Sequence, residues 1–155
     1  MRTFKHSFVV NCPIDRVWEF YTDIKHLEII TPPEIELKIT RATSQKLTQG
    51  SELWLEGKLM ILTRRWHSVI KSIMPYQYLD EMIAGPVKKW GHLHKFVDIS
   101  NNNNIQKQTE VIDEVDFELP YNPLGKLFEG YVSRRLETFF DYRKAATIKS
   151  LEDNT

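Results

Sequence analysis

The sequence predicts an α+β fold in which one strand and two short helices precede six further strands and a long C-terminal helix. Apolar and polar residues alternate over Arg2–Val10, the middle of the chain is rich in β-branched and aromatic residues, and a helical period begins after Pro120. A chain of 155 residues is the usual size of one domain. We expect that domain to span residues 1–149 and residues 150–155 to form a disordered tail.

Two short helices are expected directly after the first strand. Pro13 suits the first position of a helix, because its fixed φ angle is already helical. The apolar residues that follow at helical spacing are Ile14, Val17, Trp18 and Tyr21. This helix is expected to end near Asp23, and a second, over residues 25–30, to stop before Pro32, since a residue that precedes proline disfavours the helical conformation.

Six strands are predicted in the middle of the chain, where turn-forming residues separate the β-branched segments. They are expected near residues 35–42, 51–62, 64–74, 76–84, 89–99 and 105–119. Gly50, Pro75, Gly85 and the four asparagines at 101–104 mark turns between them. Connections this short favour antiparallel pairing of successive strands.

A long helix is predicted after Pro120, continuing to about residue 147. Its apolar stripe consists of Leu124, Leu127, Phe128, Tyr131, Val132, Leu136, Phe139 and Phe140. Its opposite face carries Lys126, Arg134, Glu137, Asp141 and Lys144. At 1.5 Å per residue the helix is about 37 Å long, enough to cross a whole sheet.

Three segments resemble the SRPBCC (START-like) superfamily. Residues 8–23, FVVNCPIDRVWEFYTD, look like its N-terminal signature, while residues 78–82, YLDEM, and 113–120, DEVDFELP, are similar to its cyclase/dehydrase-like ligand-binding branch. The resemblance implies the helix-grip fold, a curved antiparallel sheet of about seven strands wrapped around the C-terminal helix. It also implies a cavity for a lipid, polyketide or aromatic compound. Cys12 and Val87 depart from the alanine and phenylalanine that are usual in this branch.

Four ionisable residues are predicted to share an otherwise apolar face of the sheet. Alternation along the strands turns Asp80, His92, His94 and Asp113 toward the long helix, and places Asp80 opposite His92 or His94. A buried carboxylate needs a partner, and a histidine that takes up a proton can be one. The sequence therefore predicts an Asp-His-Asp cluster inside an apolar cavity.

The residues allow three interpretations of this cluster. It can be a structural network that fixes the register of the sheet, it can orient the polar end of a mainly hydrophobic ligand, or it can be the acid–base pair of a polyketide cyclase or dehydratase. In the last case the catalytic candidates are Asp80, His92, His94 and Asp113. A His-x-His pair plus one aspartate is a weak zinc motif, so we expect no metal and no cofactor.

The ligand-binding prediction extends to the aromatic residues nearby. The full set of expected ligand-binding residues is Trp66, Tyr78, Asp80, Met82, Trp90, His92, His94, Asp113, Phe117, Phe128 and Tyr131. Phe128 and Tyr131 lie in the helical stripe, and aromatic residues at that spacing more often belong to an ordinary core. Trp54 is expected to face outward, so a third hypothesis is a protein-interaction module with a vestigial cavity and an unknown protein partner.

Charge and cysteine content exclude several broad classes of function. The chain has 21 basic and 21 acidic residues, and this balance argues against a nucleic-acid partner or binding to anionic membranes. No apolar run approaches the roughly 20 residues of a membrane span, and a single cysteine is typical of a reducing compartment. We expect a cytoplasmic protein whose partner is a small hydrophobic molecule. Walker, dinucleotide-binding and serine-hydrolase motifs are missing from the sequence.

Overall fold

Seven antiparallel strands form a sheet in the computed structural model, which describes residues 1–59, 61–101, 106–120 and 124–152, without the side chains of 124–126. The strands are β1 (Arg2–Val10), β2 (Lys38–Ala42), β3 (Glu52–Leu59), β4 (Leu62–Met74), β5 (Gln77–Ala84), β6 (Lys89–Asp98) and β7 (Thr109–Glu118). They lie in the order β1-β7-β6-β5-β4-β3-β2. Two α-helices, α1 (Ile14–Thr22) and α2 (Leu124–Glu152), complete the α+β architecture.

The predicted order of elements is confirmed, with small differences at their ends. The second predicted strand begins later, at Lys38, because Pro33–Ile35 forms a single 3₁₀ turn. The second predicted helix is likewise only a 3₁₀ turn, Ile24–His26. The last strand starts at Thr109 rather than residue 105. The predicted asparagine turn lies mostly outside the described residues.

Alternation places the predicted side chains on the inner face, the face of the sheet that carries α2. Along β7 every second residue is buried, from Thr109 to Phe117, while Glu110, Glu114 and Glu118 lie on the wetter outer face. Trp54 also lies on the outer face, where it stacks on His67. A strand with this strict period of two has little freedom to slip, because a shift by one residue would bury its glutamates.

The C-terminal end of α2 is more ordered than the sequence predicts. Residues 150–152, expected to belong to a disordered tail, continue the helix to Glu152. Leu151 is buried in the core, and the Glu152 carboxylate accepts a hydrogen bond from the backbone N–H of Asn11 at 2.7 Å. These contacts anchor the last turn against the end of β1, which is why it does not fray. The remaining tail, residues 153–155, lies outside the described residues.

The N-terminal turns of α2 are not core, contrary to the predicted stripe. Phe128 is 59% exposed and Tyr131 47% exposed, whereas Phe140 is 1% exposed. The helix runs alongside β1, with Phe140 stacked on Phe4. From Phe140 back to Phe128 the helix extends about 18 Å, but from Phe4 back to its first residue β1 extends only about 7 Å. The first turns therefore project past the end of β1, and Phe128 and Tyr131 stay exposed among the described residues.

Candidate functional site

The predicted cluster forms on three adjacent strands of the inner face. Asp80 of β5 lies opposite His92 of β6, and His94 of β6 lies opposite Asp113 of β7. His6 of β1 occupies the position opposite Asp113 on its other side. The pairing that alternation predicts is therefore present, and β1 extends the same row of polar residues by one histidine.

Asp113 is the centre of the cluster, and it is fully buried. The carboxylate can only accept, so the Nε2–H of His92 donates to its Oδ1 at 2.8 Å. Nδ1 of His94 lies 3.2 Å from the same oxygen without making a well-aligned hydrogen bond. The two imidazole rings have centroids 3.7 Å apart. Both histidines therefore have a ring nitrogen within 3.2 Å of the same carboxylate oxygen.

Burial and charge set the protonation states of this centre. Burial alone raises the pKa of Asp113, but hydrogen bonding and charge from His92 and His94 outweigh it and bring the pKa well below its usual range. Burial lowers the pKa of His94 to about 3, with His92 acting in the same direction and Asp113 opposing it. At neutral pH, therefore, Asp113 is an anion and His94 is a neutral imidazole.

Asp80 lies at the edge of the cluster, and its environment differs from that of Asp113. The residue as a whole is half-buried, yet its Oδ1 atom is inaccessible to solvent. Burial raises its pKa, while His92 and a hydrogen bond from Ser68 act in the opposite direction. Asp80 therefore keeps its proton to a higher pH than Asp113, so the two carboxyl groups differ in their tendency to ionise.

Arg143 of α2 is a member of the site that the sequence prediction omits. It is 4% exposed, and its guanidinium lies over the rings of Phe139 and Phe140, 5.0 and 5.3 Å from their centroids. Its Nη1 is 3.9 Å from Oδ1 of Asp113, too far for a hydrogen bond. The available signal was helical spacing, because Leu136, Phe140, Arg143 and Thr147 follow at intervals of four, three and four.

Six buried polar atoms in this region find no hydrogen-bond partner within the described part of the chain. They are Oδ2 of Asp113, Oδ1 of Asp80, Nδ1 of His94, Nδ1 of His6, and Nε and Nη1 of Arg143. Most buried polar groups in proteins are hydrogen-bonded, so a group of unpartnered donors and acceptors is unusual. The name polar cluster is used below for Asp80, His92, His94, Asp113 and Arg143.

Within the described residues, the two ends of the inner face differ in burial. At the closed end, defined by Ile70, Tyr78, Phe96 and Val111, every side chain is buried. Helix α1 covers this end, where Trp18 packs edge-on to Tyr78 and Phe96. At the open end, defined by Trp66, Met82 and Trp90, these three side chains are only half-buried, although Phe117, opposite Trp90, is fully buried. The polar cluster lies beside both ends, since Ile70 is opposite Asp80 and Tyr78 is opposite His94.

The predicted ligand-binding residues are divided between these environments. Tyr78 and Phe117 are buried, and Tyr78 stacks on His94 with centroids 4.2 Å apart. Trp66, Met82 and Trp90 line the open end next to the polar cluster. Phe128 and Tyr131 project from the exposed first turns of α2 and are not packed against the cluster.

Three atoms of the cluster are also close enough together to hold a metal ion. One ligand atom each of His92, His94 and Asp113 lie within 4.8 Å of one another. Arg143 opposes this use, since its permanent positive charge lies 3.9 Å from the carboxylate oxygen that the ion would share. The three ligand atoms therefore have the spacing of a metal site, but the positive charge of Arg143 disfavours a cation there.

A concave region lies elsewhere on the molecule. It is an open groove of about 440 Å³ between α1 and the end of α2. Its lining is Arg16, Glu19, Phe20, Asp23, Lys25, His26, Ile29, Lys46, Ser150 and Leu151. Most of these side chains are charged or polar and none belongs to the polar cluster, so the groove is a separate site with a different chemistry.

The fold can now be compared with known proteins. No protein-family model and no curated protein sequence matches the chain. Among solved structures, a START superfamily protein from Mycobacterium smegmatis superposes with a TM-score of 0.70 at 13% identity over 99% of both chains. An aromatase/cyclase from Streptomyces superposes with a TM-score of 0.66 at 17% identity, over 97% of this chain and 90% of that chain. The chain has the START-like helix-grip fold.

A plant structure adds to this likeness. Truncated norcoclaurine synthase from Thalictrum flavum superposes with a TM-score of 0.67 at 14% identity, over 96% of this chain and 91% of that one. At such low identity the shared property is the helix-grip fold itself. In the described ranges, no helix has the length and apolar character needed to cross a membrane.

Proposed function

We propose that the protein binds a small, mainly hydrophobic molecule on the inner face of the sheet, between the sheet and α2, with the polar end of the molecule at the polar cluster. The observation that carries this proposal is the group of unpartnered, buried donors and acceptors beneath the open end. Such groups cost free energy when they are left unsatisfied, and a bound polar group removes that cost. The helix-grip neighbours, among them START and aromatase/cyclase proteins, support a ligand-binding role.

The open end supplies the apolar part of the proposed site. Trp66, Met82 and Trp90 are half-buried there, and Phe128 and Tyr131 are exposed on the turns of α2 that project past the start of β1. Apolar side chains around an opening, with polar groups deeper inside, are the usual pattern of a small-molecule site. We therefore place the ligand's entry at this end.

Native mass spectrometry of the purified protein, followed by thermal-shift measurements with fatty acyl, polyketide and aromatic compounds, tests the proposal. The expected result is an added mass that denaturation releases, or a rise in Tm that grows with ligand concentration. Unliganded protein together with an unchanged Tm for every compound class would contradict it. Trp66→Ala should reduce the rise in Tm, whereas Trp54→Ala, on the outer face, should leave it unchanged.

Acid–base catalysis of the cyclase or dehydratase kind is a second candidate function. The observation that favours it is the 2.8 Å hydrogen bond from His92 to Asp113, because an imidazole oriented by a carboxylate is a common proton-transfer group. His92→Asn should abolish turnover of a bound polyketide while the protein remains folded. Turnover that survives in this variant would exclude His92 as the proton carrier.

A further inference from the structure

Arg143 carries a buried charge, and two of its three guanidinium nitrogen atoms have no hydrogen-bond partner among the described residues. A guanidinium stays protonated at every physiological pH and has five N–H donors. Burying such a group costs several kcal/mol unless it is paired and hydrogen-bonded. Within the described structure, its Nε and Nη1 atoms have no hydrogen-bond partner, and the faces of Phe139 and Phe140 supply only a cation–π attraction. The site therefore contains donors that lack an acceptor.

Asp113 provides the complementary acceptor, and it too is incompletely used. Its Oδ1 accepts from His92, while its Oδ2 has no partner among the described residues. The separation of 3.9 Å between Arg143 Nη1 and Asp113 Oδ1 allows electrostatic attraction without a direct hydrogen bond. A free acceptor thus lies beside free donors, and a ligand group that carries an acceptor and a donor side by side would complement both.

The charged groups nearest to the unused donors and acceptor are opposite in sign. Arg143 is a cation and Asp113 an anion, with Nη1 and Oδ1 3.9 Å apart, and His94 is neutral because burial lowers its pKa to about 3. A ligand carboxylate would place a second buried negative charge beside Asp113, whereas a neutral group would not.

We propose that the polar end of the ligand is a neutral group in which a hydrogen-bond acceptor and a hydrogen-bond donor lie side by side. This inference rests on the proposed function. A carbonyl oxygen accepts from Arg143, and an adjacent N–H or O–H donates to Oδ2 of Asp113. Carboxamides and β-hydroxyketones have this chemistry. Carboxylates lack the donor and add a charge, and esters lack the donor.

The depth of the site bounds the apolar part of such a ligand. From Trp90 at the open end to His94, beside Asp113, β6 extends about 13 Å. This length suits a medium-length acyl chain that lies along the strand with its head group at Arg143. Decanoyl compounds are therefore suitable probes, because the head group can be changed while the apolar chain is held constant.

The test compares decanamide, methyl decanoate and decanoate by calorimetric titration of the intact protein. We expect decanamide to bind about tenfold or more tightly than the other two, which is the effect of a hydrogen bond to a charged group. A β-hydroxyketone of equal chain length identifies which of the two head groups is preferred. Methyl decanoate equal to decanamide, or decanoate tighter than both, would overturn the inference while leaving the proposed function intact.

Substitution of Arg143 gives a measurement that is independent of the wild-type affinity ratios. In Arg143→Met both decanamide and methyl decanoate should bind several-fold more weakly, because the carbonyl oxygen of each loses its donor, while the ratio of their affinities, which depends on Asp113, should change little. Arg135→Met, at an exposed position of the same helix, is the matched control and should keep both affinities. Unchanged affinities in Arg143→Met would contradict the inference. If that variant does not fold, the wild-type affinity ratios decide alone. Failure of every decanoyl compound to bind would overturn the inference, and the thermal-shift measurements with the other compound classes decide the proposed function separately.

Discussion

The closed and open ends of the inner face are built from the same strands but are packed differently. At the closed end, Tyr78 and Phe96 are buried under Trp18 of α1, and the last turns of α2 are anchored through Leu151. At the open end, Trp90 and Met82 lie on the same two strands, yet both are only half-buried. The difference comes from what covers the sheet and not from the hydrophobicity of its residues.

The comparison explains where the polar cluster lies. Full cover at one end lowers the effective dielectric constant around Asp113 and Arg143, which strengthens their interactions with any polar partner. At the other end, the half-buried side chains of the described residues mark the place where we propose that a partner enters. If both ends were closed, no ligand could reach the unpartnered buried donors, and their hydrogen bonds would stay unmade.

Substitutions in the middle and in the first turns of α2 give the largest expected contrast. Phe140→Ala removes a fully buried ring that contacts Phe4, His6 and His92, and should lower the free energy of unfolding by about 4 kcal/mol. Phe128→Ala removes an exposed ring and should change it by no more than about 0.5 kcal/mol. Urea denaturation measures both values. Equal losses would contradict the division into two ends.

Asp113→Asn should produce the next largest effect on stability. The change preserves shape but removes the buried negative charge, which leaves Arg143 without a counter-ion at a cost of about 3 kcal/mol. Asp116→Asn is the matched control on the outer face of the same strand, and it should cost less than about 1 kcal/mol. A stable Asp113→Asn protein would mean that Arg143 does not depend on this carboxylate.

Acid should destabilise the protein through His94. Its folded pKa of about 3 lies below the usual value of 6.5, so the folded state binds fewer protons than the unfolded state in that range. The stabilisation is fully present above pH 6.5 and is lost as the pH falls toward 3, with a slope of at most about 1.4 kcal/mol per pH unit for one group. The titratable and charged groups that face it are His92, Asp113, Arg143, Tyr21 and Tyr78.

Urea denaturation at a series of pH values measures this dependence. In His94→Gln the slope between pH 6.5 and 4 should become shallower, because the titrating group is gone. Protonation of Asp113, whose pKa is also lowered, adds to the loss of stability below about pH 4 in both proteins. An identical slope in the variant would assign the acid sensitivity to other groups.

The smallest expected effect on stability comes from the open end. Met82→Ala removes a half-buried side chain and should cost about 1 kcal/mol, less than a buried methionine would. The same change should weaken binding of decanamide several-fold, since Met82 lies one row of side chains from the polar cluster. Calorimetric titration measures the affinity. A large loss of stability without loss of affinity would assign Met82 to the core.

The period of two in the strands made the sheet side of the site predictable. Asp80, His92, His94 and Asp113 lie at the same alternate positions as the apolar inner residues of their strands, and the strand register follows from which face must be buried. No comparable constraint governs α2. Its helical period identifies an apolar side but not how far the sheet extends beneath it, so the exposure of Phe128 and the burial of Arg143 depend on tertiary contacts.

The structure of the complex with decanamide tests the central claim most directly. We predict the acyl chain between Trp66, Met82 and Trp90, with the amide oxygen within hydrogen-bonding distance of Arg143 and the amide N–H at Asp113. The same compound bound in the groove that Arg16 and Lys46 line, or on the outer face at Trp54, would contradict the claim.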